Sequence, residues 1–430
     1  MKAAALNFDD LRSVVRQMPD NGLAAVRETA LAHLGENGLP TLSDEDWKYT
    51  DLTPLVDISN RWLGAGGQQR SASTQREAIE AITATIDATW FVIANGQIGE
   101  LAPGSNLDGI EVSRISDAPT PLALSRPLAN LNAALLHDGL RLRITGKVER
   151  PIGILLMDSS DTEAVVTQTY VEIDVAPGAA ADLIEYYASN GNGDLYANSV
   201  LTVNIGDDAI VNHARIQNRS LKHVQTSRTS ISPGRNAVLR MASYDLGGGL
   251  IRNDIDIDLG NPGADVSFDG LYLAGDGQHI DNHTRVDHRV GPATSSQEYR
   301  GILNGECRCV WNGKAIVHKG ADGTDAKQAN HNLLMSEKAE IDAKPELEIY
   351  AEDVKCAHGT TVGQLDDTAL FYLRSRGLDK QHALRVLTHA FAADLVRRTP
   401  VKAAMQGISD IVEARLAELI QADDIAEILA

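Results

Sequence analysis

Glycine recurs through the middle of the chain at Gly178, Gly206, Gly234, Gly263, Gly291 and Gly320, in steps of 28, 28, 29, 28 and 29 residues. Its neighbours repeat with it. Apolar pairs precede the first two marks (Ile173 and Val175, Leu201 and Val203), and a small residue follows three places later at Ala181, Ala209 and Ala237. Between the marks lie short alternating runs, Ile154 to Met157, Tyr170 to Val175, Val200 to Ile205 and Ile255 to Leu259, rich in β-branched residues and bounded by Gly, Asn and Asp. A period near 28 without helical patterning suits a coil of two longish strands and two turns. Such coils stack so that each buries its face against the next. The expected fold is therefore mainly β, a parallel β-helix over residues 89–364. Stacked coils have open ends that invite edge pairing, and helical segments at the two termini are expected to cover them.

Those flanks read as helical. In the first region, residues 1–88, Leu11, Val14, Val15 and Met18 recur at helical spacing. Leu23, Val26, Ala30 and Leu34 make a second amphipathic stretch ended by Gly35. Residues 64–73 resemble a linker, and Trp90–Gly96 reads as a first strand ending in a turn. In the last region, residues 365–430, Asp366 or Asp367 can cap a helix carrying Leu370, Phe371 and Leu373 and stopped at Gly377. Asp379 can cap a second, with Leu384, Leu387, Phe391 and Leu395, ending before Pro400. Ile408, Ile411, Val412, Leu416, Leu419 and Ile420 form a third.

Charge and cysteine usage narrow the function. The 430 residues carry a formal charge of −20, which argues against nucleic acid or an anionic membrane as a partner. No window approaches the roughly 20 apolar residues of a membrane helix, and MKAAALNFDDLR lacks the apolar core of a secretory signal. The cysteines are Cys307, Cys309 and Cys356, too few for a disulfide framework. They are expected reduced, in the cytosol, and available as metal ligands.

The sharpest constellation is Cys356-Ala357-His358. In an extended segment, residues two apart share a side, so a thiolate and an imidazole would face one ligand. Sulfur with nitrogen suits iron, zinc or copper, and Lys355 next door would favour the thiolate. Two donors cannot close a four-coordinate site, so the missing ligands would come from a second chain. The plainer alternative is a small buried cysteine beside a hydrogen-bonded histidine. Cys307-Arg308-Cys309 has the same side-by-side geometry but reads as core filler. In GQHIDNHTRVDH, a strand would put His279, Asp281, His283, Arg285 and Asp287 on a solvated face, and Ile280, Asn282, Thr284, Val286 and His288 in a coil interior with a polar ladder. Asp254, Asp256 and Asp258 alternate with isoleucines, as an outward acidic face would. No phosphate loop, dinucleotide fingerprint or nucleophile elbow is present in the sequence.

Three runs carry a family resemblance. VKCAHGTTVGQLDDTALFYLRSRGL (Val354–Leu378), HIDNHTRVDHRVGPATSSQEYRGIL (His279–Leu303) and EDWKYTDLTPL (Glu45–Leu55) resemble motifs of the SufB/SufD family of iron–sulfur assembly scaffolds. They span nearly the whole chain in the family's order. Where SufB-type members carry H-E-A-T, this chain has His358-Gly359-Thr360-Thr361, which resembles the SufD branch. Thr360 departs from the alanine usual there, a neutral change. The resemblance implies a right-handed parallel β-helix between helical regions and no complete active site in this chain. It implies SufB as a partner joined through the β-helix, and the ATPase SufC bound by the C-terminal helices. It further implies a nascent iron–sulfur cluster shared with SufB, with His358 and the nearby Cys356 at the family position that faces it. It leaves open self-pairing of the isolated chain and a flavin in the assembled complex. Three rival readings are a SufB-like sulfur-accepting scaffold, a β-helix carbohydrate enzyme and a purely structural subunit. The missing glutamate after His358 argues against the first. The absent secretion signal and only 4% aromatic residues argue against the second.

Overall fold

The computed structural model describes residues 5–68, 75–99, 107, 109–119 and 126–420. Of the linker expected over 64–73, residues 69–73 lie outside them. Helix α1 (Phe8–Gln17) starts where the Asn7 side chain accepts the backbone N–H groups of Asp9 and Asp10. Helix α2 (Ala24–Asn37) runs through Gly35, which was expected to end it, and stops at Gly38, whose φ of 68° a side chain would strain. Helices α3 (Thr53–Gly64) and α4 (Arg76–Thr85) follow, and α5 (Pro127–Leu135) interrupts the early strands.

The strands are β1 (Thr89–Ala94), β2 (Gln97–Ile98), β3 (Ile110–Arg114), β4 (Gly139–Ile144), β5 (Ile152–Ser159), β6 (Val165–Val175) and β7 (Ala180–Asn190). Next come β8 (Leu195–Ile205), β9 (Ile210–Asn218), β10 (Val224–Pro233), β11 (Val238–Asp245), β12 (Leu250–Leu259) and β13 (Asp265–Ala274). The last are β14 (His279–His288), β15 (Thr294–Leu303), β16 (Arg308–Val317), β17 (Asp325–Leu334), β18 (Glu340–Ile349) and β19 (Lys355–Gly363). From β4 on they alternate between a nine-stranded and a ten-stranded sheet, each strand pairing parallel with the one two places on, while β1 pairs parallel with β5. This is the expected parallel solenoid. Inward positions interdigitate as a continuous core running from Leu140 and Ile154 through Val203, Ile257 and Phe268 to Trp311.

All six periodic glycines fall at the same corner, between a strand of the smaller sheet and one of the larger, but they do not occupy one position. The left-handed residue of that corner is Gly178 in one coil, Asp208 and Asn236 in the next two, and Gly263 after them. Each is followed by a buried alanine: Ala179, Ala209, Ala237 and Ala264. Gly206 is glycine for another reason, since a Cβ there would lie 2.5 Å from the Pro177 nitrogen of the coil before. The small-residue repeat therefore begins at Ala179; Ala181, assigned to it from the sequence, is a buried residue of β7.

Among the described residues, the flanking helices cover faces of the solenoid and leave its final end bare, contrary to the expectation that they cap the ends. The N-terminal helices and α5 pack Leu11, Leu34, Leu55 and Trp62 over Tyr170, Tyr196 and Val224 on the outside of the nine-stranded sheet. Helices α6 (Asp367–Ser375), α7 (Lys380–Arg397) and α8 (Met405–Leu419), the first two capped by Asp366 and Asp379, pack on the outside of the ten-stranded sheet against Ile216, Tyr244 and Leu271. The first coil ends in short antiparallel strands. Asn95 and Gly96, with φ of 48° and 73°, turn β1 back into the two-residue β2, and β3 pairs antiparallel with β4. At the other end β18 and β19 are outermost in their sheets.

Two buried histidines make the fold acid-sensitive. His223 holds Ser189 Oγ at 2.6 Å through Nδ1, and His288 holds Ser295 Oγ at 2.9 Å through Nε2. Burial, with Arg219 beside His223, pushes both down to about 4. Between that value and roughly 6.5 the unfolded chain binds protons that the folded chain refuses. Stability is thus full above pH 6.5 and falls as pH drops toward 4. Urea unfolding midpoints should decline from pH 7 to pH 5, and His288→Gln should flatten that slope.

Candidate functional site

Cys356 and His358 lie on β19, the last strand of the ten-stranded sheet. Its register sets Cys356 over Ala326, His358 over Gln328, Thr360 over Asn330 and Val362 over Asn332. The lower four are all buried, the inward set of β17. The thiol and the imidazole therefore share a side, and it is the side that faces the solenoid interior. They are nevertheless reachable: Cys356 is half-buried and His358 exposed. The reason is that no further coil lies above them among the described residues. Opposite them, β18 is half-buried along nearly its whole length.

This strand is also an open edge. The Lys355 N–H donates to Thr324 O of the coil below. In a parallel ladder the alternate residues, Cys356, His358, Thr360 and Val362, then turn their backbone groups outward, where nothing pairs with them among the described residues. Exposed Ile349, Tyr350, Val362, Phe371 and Tyr372 are the large apolar residues of this terminal strand pair and of α6 that follows it.

The thiol is not activated as the sequence suggested. Burial pushes Cys356 up; the Ala326 backbone opposes this and the Asp325 carboxylate adds to it. Lys355 points to the opposite side of the strand and does not lower it. Among the described residues no three His, Cys, Asp or Glu side chains converge on one point, so the pair is two donors without a third.

The other constellations resolve differently. Cys307 and Cys309 are buried in the core, and burial raises the Cys309 thiol far up. Asp254, Asp256 and Asp258 are each held by an arginine, Arg252 at 2.8 Å, Arg228 at 2.5 Å and Arg289 at 2.6 Å, leaving no free carboxylate pair for hydrolysis. Asn282 faces inward as expected, accepting from Asn253 at 2.8 Å.

Asp281 contradicts the solvated face assigned to it, being fully buried. Residues 45–50 lie across this strip of the nine-stranded sheet. Thr50 Oγ1 donates to Asp281 and contacts His279 Nε2 at 2.8 Å, and Arg252 reaches Asp281 at 2.6 Å while its guanidinium stacks 4.2 Å from the Trp47 ring. Arg308 lies over Tyr49, and Glu45 reaches Lys344 at 2.8 Å. Burial opposes ionisation of Asp281, but Arg252 and His283 hold its carboxyl well below the usual range. Two sequence motifs far apart in the chain thus meet as one strap across β12, β14, β16 and β18. No spacing rule could have joined them.

Fold and site together define a β-solenoid with a thiol–imidazole pair on a terminal strand that no further coil covers among the described residues. Residues 156–391 match the family model for the SUF system FeS cluster assembly SufBD core domain. The chain is 31% identical over 373 residues to the iron–sulfur cluster assembly protein SufD of Escherichia coli, covering 85% of this chain and 86% of that one. It is 28% identical to SufD of Bacillus subtilis over 67% of each chain. A SufBD family protein of Mycobacterium tuberculosis is 26% identical over 88% of this chain and 89% of its own. The chain belongs to the SufBD family of the SUF iron–sulfur cluster assembly system.

Proposed function

We propose that this chain is the SufD-type scaffold subunit of a SUF complex in the cytosol, without catalysis of its own. It pairs with SufB through the open end of its solenoid and binds SufC through its C-terminal helices. The single observation that carries the reading is the thiol–imidazole pair on a terminal strand whose outer edge is unpaired among the described residues. A docking partner's edge would meet β18 and β19 and bring its own donors over Cys356 and His358, so that a nascent cluster is held by both chains. The apolar residues of the terminal strands and α6 suit such a contact.

The C-terminal helices suit a second partner. Val386, Ala390 and Ala393 of α7 and Leu416 and Ala417 of α8 line an open groove. Arg300 of β15 holds α7 to the solenoid, reaching Asp394 at 2.8 Å and the Phe391 carbonyl at 2.8 Å. A rearrangement of the helices on ATP binding by SufC would therefore reach the sheet that ends in β19.

Thr360→Pro tests the docking edge. Its backbone N–H faces outward, so proline leaves the β17–β19 ladder intact and removes a donor only from the free edge. Affinity for SufB should fall about tenfold or more, the worth of a lost ladder bond with its neighbours disturbed, while SufC still binds. Unchanged SufB affinity by calorimetry would place the contact elsewhere. Anaerobic reconstitution should give cluster absorbance only when this chain, SufB and SufC are all present.

A further inference from the structure

Gln328 sits directly beneath His358 in the β17–β19 register. It is 6% exposed, and neither its Oε1 nor its Nε2 has a hydrogen-bond partner. A buried amide with both ends unmet costs about 1–3 kcal/mol per group; Gln168 of β6 is another such amide, and what sets Gln328 apart is its place under the accessible thiol–imidazole pair. The amide beneath, Gln297, does not relieve it. Gln297 donates its Nε2 to Thr284 at 2.5 Å and leaves its own Oε1 unmet. The ladder of amides is therefore unfinished at the level where the ligand pair begins.

Bonds between stacked neighbours are geometrically natural in this solenoid. Asn204 donates to Asp174, Asn212 to Asp182 and Asn253 to Asn282, each at 2.8 Å and each to the residue of the adjacent coil in register with it. Adjacent strands lie about 4.8 Å apart, the same step that separates Gln328 from His358.

We infer that Gln328 is a positioning residue of the cluster site: in the loaded complex its amide oxygen would turn to accept the ring N–H of His358, leaving its amide N–H for a sulfide or thiolate of the cargo. Histidines that bind metal are aimed by an acceptor on the other ring nitrogen, and hydrogen bonds to sulfur tune iron–sulfur centres. This rests on the reading of His358 as a ligand.

The test uses Gln328→Leu, Gln328→Glu and His358→Ala in the full chain, each reconstituted anaerobically with SufB and SufC. Gln328→Leu removes two unmet polar atoms at nearly constant shape, so the unfolding midpoint should hold or rise while bound iron and sulfide fall about tenfold. Gln328→Glu keeps an acceptor and should retain most of the cluster. A lowered midpoint for Gln328→Leu would make the amide a structural ladder member, and wild-type cluster yield would remove its role; either result overturns the inference. The two readings separate cleanly. If His358→Ala empties the site and Gln328→Leu does not, only the role of Gln328 fails. If His358→Ala assembles a normal cluster, the ligand assignment fails, and this inference fails with it.

Discussion

His358→Ala should leave the folded chain unchanged and cost the reconstituted complex its cluster. The side chain is exposed on the outermost strand, so its removal belongs with surface changes of about 0.5 kcal/mol or less. On the proposed reading it is one of the two donors of the terminal strand, and an outer-shell partner alone is worth 10–100-fold in metal affinity. Losing the ligand itself should cut bound iron and sulfide at least tenfold. Cys356→Ala should cost less. Burial pushes that thiol up, which adds to the cost of the thiolate that metal binding needs. Iron and sulfide analysis with visible absorbance checks both; a His358→Ala complex as rich in cluster as wild type would refute the assignment.

The largest stability effect should come from far outside the site. Arg252→Ala leaves the buried Asp281 carboxylate without its arginine, with Thr50 and His283 at 3.1 Å as its remaining partners, at a cost of about 3–5 kcal/mol; Asp281→Ala should cost less, because Arg252 keeps Asp254 at 2.8 Å. Asp281 reaches Thr50 and Arg252 reaches Trp47 and the Asp46 carbonyl at 2.9 Å, so either change should also free residues 45–50. Hydrogen exchange should rise there first. The double variant should cost much less than the sum of the two. The folded carboxyl is depressed, so its contribution is complete above about pH 4 and lost on further acidification. A pair of single variants each within 1 kcal/mol of wild type would show the charges to be solvated.

The solenoid was legible because its period is local: each coil spells its own alternation and corner. The phase was less so. Glycine at Gly178 answers a left-handed φ and at Gly206 a steric approach, and the sequence writes both with one letter. Cys356 and His358 were legible as a same-side pair because strand parity is sequential. Their accessibility was not, since it depends on what stacks next. Asp281 looked solvated because its five-residue face is polar; only the strap, more than 200 residues away, buries it. Gln328 carried no signal, because an unmet amide is defined by neighbours from other coils.

The two ends of the solenoid differ in kind. Among the described residues, one finishes in the short antiparallel strands β2 and β3, the other in two long parallel strands whose outer backbone groups are unspent. A rod with one blunt and one adhesive tip can join a single neighbour end to end, and the far tip of a like-built neighbour is blunt again. On the proposed reading, association along the axis would terminate at two and not propagate into the filaments that an open parallel sheet can seed.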